Sequence, residues 1–448
     1  MRPFLATAAL VAAISSPAFA DDPKLEFEKY KLPNGLEVIL SRDNTVPLVA
    51  VNVWYHVGSG DEVVGRSGFA HLFEHMMFQG SQNVGSDKHF EILRQIGASE
   101  VNGTTNPDRT NYYEVVPSNY LETALWLESD RMGHMLGLLD RKALDNQIDV
   151  VRNERRQNYD NRPYRKALFA IYAALYPEGH PYRYLTIGKH EDLTAASVDD
   201  VKNFFKTWYV PSNATVAIVG DIDIAATKKL VDKWFASFPS STRPTEKKVP
   251  APAAKPTTVA VEDSFAKQRQ ATFVWHSPAN FADGDAELSI AADALAGEGY
   301  GRLYKQLVLG KQLATSVSAS QDGSTFSGTF DITVTLRSEA SMDDVKKIVM
   351  AEVAKLAAEN LTDREIKRVV ADAEASSIYR LQNLNARANA LQGYNHYLGD
   401  PGKLTWDLDR YRNAKADKIR TTFAKYVVPG NVVTVITNPA SAPAGGAK

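Results

Sequence analysis

Cysteine is absent from all 448 residues. That excludes disulfides and thiolate ligands, so any metal here must be held by nitrogen or oxygen. A charge surplus is absent too: 51 Lys and Arg stand against 53 Asp and Glu, a formal net charge of −2. With no basic excess to neutralise phosphates, nucleic acid is excluded as the partner. Also missing is an apolar run of the ~20 residues that a membrane-spanning helix requires. Histidine is scarce, nine residues in all. The remainder, 44% hydrophobic and 23% charged, is ordinary for a globular protein. A chain of 448 residues is more than one hydrophobic core organises, so two or more domains are expected.

The N-terminus reads as an export leader. Met1-Arg2 is followed by the apolar stretch Phe4 to Ile14 and then by Ala18-Phe19-Ala20, a small-x-small cleavage signal. Residues 1–20 are therefore expected to be removed after Ala20, and in a cysteine-free exported chain the bacterial periplasm is the simplest compartment.

Two of the nine histidines stand four apart in His71-Leu72-Phe73-Glu74-His75. A helix turns every ~3.6 residues, so positions i, i+3 and i+4 share a face and all three polar side chains can reach one point. In a chain this poor in histidine the pattern arises by chance in about one such sequence in a hundred. The flanks predict a helix, with Ser67 as N-cap, an apolar run from Phe69 through Phe78, and Gly80 to end it. Two imidazoles leaving room for one carboxylate and a water describe a hydrolytic zinc site. A second helix is predicted over 144–157, with Leu144, Ile148 and Val151 as its buried stripe and Glu154 at the stripe's edge. Composition alone reads Glu154 as a solvated helix charge.

Together, His71, Glu74 and His75, with Glu154 following 79 positions after His75 in Val150-Val151-Arg152-Asn153-Glu154-Arg155-Arg156, resemble the zinc signature of the pitrilysin family of metallopeptidases. That family includes insulin-degrading enzyme and the mitochondrial processing peptidases. Further matching residues are Asn102 in Val101-Asn102-Gly103-Thr104-Thr105, the stretches 108–113 and 160–164, His180-Pro181-Tyr182 and Val219-Gly220-Asp221. The likeness is dense in the first half and thinner in the second. It implies one Zn2+ per chain on His71, His75 and Glu154, Glu74 as general base, and peptide substrates. It also implies that Val101–Thr105 is an edge strand on which Asn102 meets the substrate backbone. Without the resemblance, Asn102-Gly103 is a turn dipeptide.

Two departures from the family pattern carry information. Gln147, seven residues before Glu154 and on nearly the same helical face, stands where relatives often place a carboxylate; its amide can still orient a ligand from behind. In the second half, active single-chain relatives carry an Arg and a Tyr seven apart that bind substrate and steady the oxyanion. Aligned on Leu313-Ala314-Thr315-Ser316-Val317, those positions are Val308 and Thr315, and neither replaces the missing donors. Tyr300, Arg302 and Tyr304 stand nearby as substitutes, in a segment that relatives use as a helix start. The chain thus looks like the zinc-bearing member of a heterodimer whose homologous partner subunit supplies the Arg and Tyr.

An internal repeat organises the whole chain: Val210–Val219 resembles Val428–Thr437 at an offset of 218 residues. The same offset carries His71, Glu74 and His75 onto Ser289, Ala292 and Asp293, so the second copy keeps the helix without the ligands. In the first copy, Pro33-Asn34-Gly35 is a turn before the alternating strand Leu36, Val38, Leu40, and 49–57 reads as a central strand. The expected fold class is α+β: two homologous sandwich halves, each a mostly antiparallel sheet with helices on one side, forming a clam-shell chamber. The expected boundaries are a zinc-bearing domain over 21–238, a Pro-rich linker over 239–256, a homologous inactive domain over 257–438 and a tail over 439–448.

The favoured function is a zinc endopeptidase acting on unfolded peptides, dependent on its partner. The other two readings are a non-catalytic scaffold subunit of a peptidase-like complex and a processing peptidase dedicated to one precursor.

Overall fold

The computed structural model describes residues 24–440 apart from 246, 251, 253 and 254, so the leader read at 1–20 and the chain from 441 onward lie outside the described residues. In chain order the first sheet contains β1 (Glu28–Lys31), β2 (Glu37–Arg42), β3 (Leu48–Tyr55), β4 (Ser99–Thr105), β5 (Thr110–Pro117) and β6 (Ala214–Gly220). In space they run β1-β2-β6-β3-β5-β4. Only β2 and β6 pair in parallel; the other neighbours are antiparallel. β3 is central because it is apolar on both faces, with every residue from Val49 to Tyr55 buried. The turn before β2 depends on Gly35, whose φ of +98° suits glycine, while Asn34 Oδ1 accepts from Leu36 N at 3.1 Å.

The second sheet is built from β7 (Thr257–Asp263), β8 (Gln270–Ser277), β9 (Ala314–Gly323), β10 (Gly328–Leu336) and β11 (Val433–Pro439), in the spatial order β7-β11-β8-β10-β9. This is the order of the first sheet without β1. The 218-residue offset holds in detail: Thr110 opens β5 and Gly328 opens β10, and the Val198–Trp208 helix recurs as Ala416–Tyr426. β11 extends through Pro439, and Ala440 N donates to Asp263 O at 3.0 Å, so the last strand takes in the first residue of the stretch read as tail.

Each sheet buries one face under the helices of its own half, in two separate cores. The opposite face of each is covered by a helix from the other half. Ala167, Ile171 and Leu175 of the Lys166–Leu175 helix pack on Val274, Val433 and Val435 of the second sheet. Leu384, Ala388 and Leu391 of the Leu384–Leu398 helix, which begins 218 positions after Lys166, pack on Ile39, Ala50, Val115, Ala217 and Val219 of the first. Polar bonds fix the exchange. Gln392 Nε2 donates to Asn52 O at 2.9 Å and Thr215 O at 2.8 Å. Asp108 accepts from Tyr182 of its own half at 2.6 Å and from Tyr397 of the other at 2.8 Å.

The two halves are therefore held together by the exchanged helices as well as by the covalent link between them. Each buried Leu, Ile or Val side chain contributes ~1.5–3 kcal/mol, and the exchanged helices bury several of them in both directions. Cutting the chain at a protease site introduced between 239 and 245 should leave both halves eluting together at the volume of the intact chain in size-exclusion chromatography. Separation of the halves would show that the joining segment alone holds them.

Candidate metal centre

His71 and His75 lie on the Phe69–Met76 helix, and Glu154 in the last turn of the Arg141–Arg155 helix. Glu154 Oε2 is 3.6 Å from His71 Nε2 and 3.4 Å from His75 Nε2. The two rings are nearly perpendicular, at 83° with centroids 4.8 Å apart. Tetrahedral zinc with bonds of ~2.0–2.1 Å spaces its ligands about 3.3–3.4 Å apart, so this donor set fits one such ion with little movement. A cavity of about 250 Å³ lined by His71, Glu74, Gly103, Thr105, Glu154 and Tyr159 leaves room beside it for water and a peptide bond.

Electrostatics act differently on the three donors. Burial, followed by the neighbouring His75, pushes His71 down to about 4, so the ring is neutral near pH 7. Glu154 is held below the usual carboxylate range, first by its bond to His75. Burial works against charge on His75, but its bond to Glu154 and the charge of Glu74 outweigh that and raise its pKa. Gln147 is buried on the same helix as Glu154, and its amide adds to the raising of the His75 pKa. Glu74 is pushed up by burial, against the opposing pull of Thr105, whose hydroxyl donates to Glu74 Oε2 at 2.6 Å.

The helix start differs from expectation. Ser67 is not the N-cap: Gly68 occupies that position at φ +88°, and Ser67 N and Oγ both donate to Asp192 Oδ2. Glycine is needed because Gly68 lies against Gly188; a Cβ on Gly188 would fall 2.4 Å from Gly68 Cα. Beyond Glu154 the second helix widens into a π-turn over Arg156–Asp160, a local unwinding often found at functional sites.

Val101–Thr105 is strand rather than turn. β4 lies at one end of the sheet and among the described residues pairs with β5 alone, so its other edge has no strand neighbour. Asn102 is exposed on that edge, and its Oδ1 accepts from Gly103 N at 2.9 Å. Gly103 lies on Glu74: a Cβ there would be 3.0 Å from Glu74 Cγ and 3.1 Å from Oε1. Thr105, a site residue the motif reading missed, is legible afterwards from period-two alternation, since Gly103 and Thr105 share the strand face that meets Glu74.

In the second half, Ser289, Ala292 and Asp293 lie on the Asp285–Ala296 helix. Asp372, 218 positions after Glu154, lies on the Asp363–Arg380 helix. Tyr300 fills the space between these helices, its hydroxyl 2.8 Å from Asp293 Oδ2 and 3.4 Å from Asp372 Oδ2. Arg302 is paired with Glu365 at 2.7 Å and Glu352 at 3.4 Å. Tyr304 and Val308 pack on the second core, and the Thr315 hydroxyl lies 3.3 Å from both Gln268 Oε1 and Thr335 O. Tyr300 and Arg302 are thus committed within their own half and do not stand in for the missing donors.

His89, Glu114 and Glu128 form a second group with ligand spacing, fully buried. The guanidinium of Arg131 joins it, bonded to Glu128 and stacked 4.3 Å over Tyr112. Burial raises the Glu114 pKa well above the carboxylate range, with the charge of Glu128 adding to it, and burial lowers His89. A neutral Glu114 beside a Glu128–Arg131 pair leaves the cluster without net charge, whereas a divalent ion next to a buried guanidinium would carry a large desolvation cost. Of these two groups among the described residues, the first is the one that fits a metal.

Comparison with known proteins places the chain among peptidases of family M16. The profile of Insulinase (Peptidase family M16) matches residues 37–183, and that of the Peptidase M16 inactive domain matches 195–372. The chain is 28% identical to zinc protease PqqE of Helicobacter pylori over 82% of its own length and 83% of that protein. A crystal structure of a protease from Helicobacter pylori superposes with a TM-score of 0.85 at 24% identity, over 93% of this chain and all of that one. The periplasmic protease PqqL from Escherichia coli superposes at 0.77 with 18% identity over 94% of this chain and 49% of its own, so this chain spans about half of PqqL. Among the described residues no helix is long and apolar enough to cross a membrane.

Elemental analysis should find one zinc per chain. His71→Ala, His75→Ala and Glu154→Gln should each lower that occupancy, while Glu74→Gln and Glu114→Gln should not. Full occupancy in His75→Ala would refute the ligand assignment, and loss in Glu114→Gln would refute the reading of the buried cluster.

Proposed function

The chain belongs to the insulinase family of peptidases, peptidase family M16, and from the site geometry we propose that it is a zinc-dependent endopeptidase for unfolded peptides. The observation that carries this reading is the convergence of two imidazoles and one carboxylate on a point beside Glu74. His71, His75 and Glu154 would hold the ion; when bound, zinc polarises a scissile carbonyl and lowers the pKa of water toward ~7.

The chain's own residues do the rest. Thr105 engages Glu74 Oε2, which leaves Oε1 to take the proton of the attacking water and deliver it to the departing amine. Burial favours this carboxylate in its proton-accepting role. The open edge of β4 offers backbone donors and acceptors to an extended peptide, which would add as a further strand. For that to happen Asn102 must release Gly103 N–H and turn its amide toward the incoming backbone. An extended segment is required, so a folded protein would be a poor substrate.

The helix exchange bears on the partner. Helices exchanged between the halves restrict swinging about their own linker, which favours a covering lobe supplied by another chain. A homologous subunit bearing the Arg and Tyr that Val308 and Thr315 lack would supply both the cover and the oxyanion donors. The export leader read at 1–20 makes the periplasm the place of action. The inactive-domain profile lies largely on the second half, where the Tyr300 hydroxyl lies between the carboxylates of Asp293 and Asp372, and leaves a non-catalytic role for the whole chain to be excluded by assay.

Chelation should abolish peptidase activity, and Glu74→Gln should lower kcat by ~10³ with zinc retained. Thr105→Val should lower kcat more than it raises KM. Adding the homologous subunit should raise kcat/KM by ~10² or more. A kcat/KM of ~10⁴ M⁻¹s⁻¹ from this chain alone would contradict the need for a partner.

A further inference from the structure

The Phe69–Met76 helix has no side-chain cap of its own, since Gly68 occupies its N-cap position. Its first open N–H groups are taken by a carboxylate from outside the helix. Glu62 Oε2 accepts from Gly68 N at 3.0 Å, and Glu62 Oε1 from Ala70 N at 2.8 Å. Ala70 directly precedes His71. The same carboxylate meets the positive end of the helix dipole.

Glu62 follows a tight turn, Ser59–Asp61, that is itself pinned. Ser59 N donates to Asn106 O at 3.1 Å and Gly60 N to Pro107 O at 2.8 Å. A third anchor comes from the segment joining the two halves: Lys247 Nζ donates to Gly60 O at 3.0 Å and to Glu62 O at 3.2 Å. Its charge faces Asp61 and Glu62.

We infer that Glu62 is a positioning residue for the metal site, and that Lys247 seats it, so that docking of the joining segment is read out as metal affinity. The inference rests on the metal site proposed above. Glu62 does not reach the ligand side chains; it acts through the backbone of the first helical turn. His71 is in that turn, whereas His75 is one turn further in, held by the helix's own bonds. Loosening the cap therefore moves His71 Nε2 away from Glu154, which is fixed on a separate helix, and leaves His75 in place. The site would pass from three protein ligands toward two.

The test is zinc affinity of the folded full-length chain, measured by competition with a chromophoric chelator, together with the visible spectrum of the cobalt(II)-substituted protein. Glu62→Ala should raise the zinc dissociation constant ~10–100-fold, with Glu62→Gln, which keeps one acceptor oxygen, in between. Lys247→Met should raise it about threefold, a smaller step since it removes only one anchor of the turn. Cobalt bands should shift in the Glu62 variants, which a simple loss of stability would not produce in protein that remains folded. If Glu62→Ala does not fold, Glu62→Gln and Lys247→Met decide the matter. Wild-type zinc constants and cobalt spectra in the Glu62 variants would overturn the inference, and a wild-type constant in Lys247→Met would overturn the part played by the joining segment. Failure of the unmodified chain to bind zinc would instead overturn the metal site itself, and the inference with it.

Discussion

The close approach of two backbones at Gly68 and Gly188 is the constraint on which the candidate metal centre depends. A Cβ on either glycine would collide with the other's backbone, at 2.9 Å from Gly188 Cα in one case and 2.4 Å from Gly68 Cα in the other. This contact sets where the first ligand helix begins. Arg155, the neighbour of Glu154, donates to Gly188 O, and Lys189 N donates to Ser67 Oγ at 3.0 Å. One short segment around Gly188 thus ties the start of the histidine helix to the end of the glutamate helix. Ligands far apart in sequence become neighbours because both supporting helices refer to the same backbone.

The two halves present one scaffold put to two uses. The helices that hold His71, His75 and Glu154 in the first recur in the second with Asp293 and Asp372, where the Tyr300 hydroxyl lies between the two carboxylates. A hydroxyl that donates to a half-buried carboxylate satisfies it without a second charge. Asp293 is raised above its usual pKa, chiefly by burial. The second half therefore keeps the helix packing without the ligand chemistry, and contributes instead a sheet, a core and the Leu384–Leu398 helix that closes the back of the first sheet.

Much of this was legible in the chain itself. The period of 3.6 places His71, Glu74 and His75 on one helical face, the near-continuous apolar run over 49–57 marks a central strand, and the offset of 218 reveals the two halves. Resemblance, rather than spacing, singled out Glu154 from the other charges of its helix and Asn102 from an ordinary turn. Ser67 does not cap the helix because Asp192 takes its hydroxyl, and sequence shows the residue type at a helix start but not its distant partner.

Sequence alone determined the ligand types, the local elements and the duplicated plan, because each is written in short-range periodicity and residue chemistry. Tertiary structure decided what depends on contacts between distant segments. It placed Glu62 rather than Ser67 at the open end of the ligand helix, and it placed Thr105 against Glu74. It also exchanged the helices Lys166–Leu175 and Leu384–Leu398 between sheets. Their amphipathic pattern says that one face must be buried but is indifferent to which sheet buries it; only the packed surfaces, with Gln392 reaching two backbone carbonyls of the other half, make that choice.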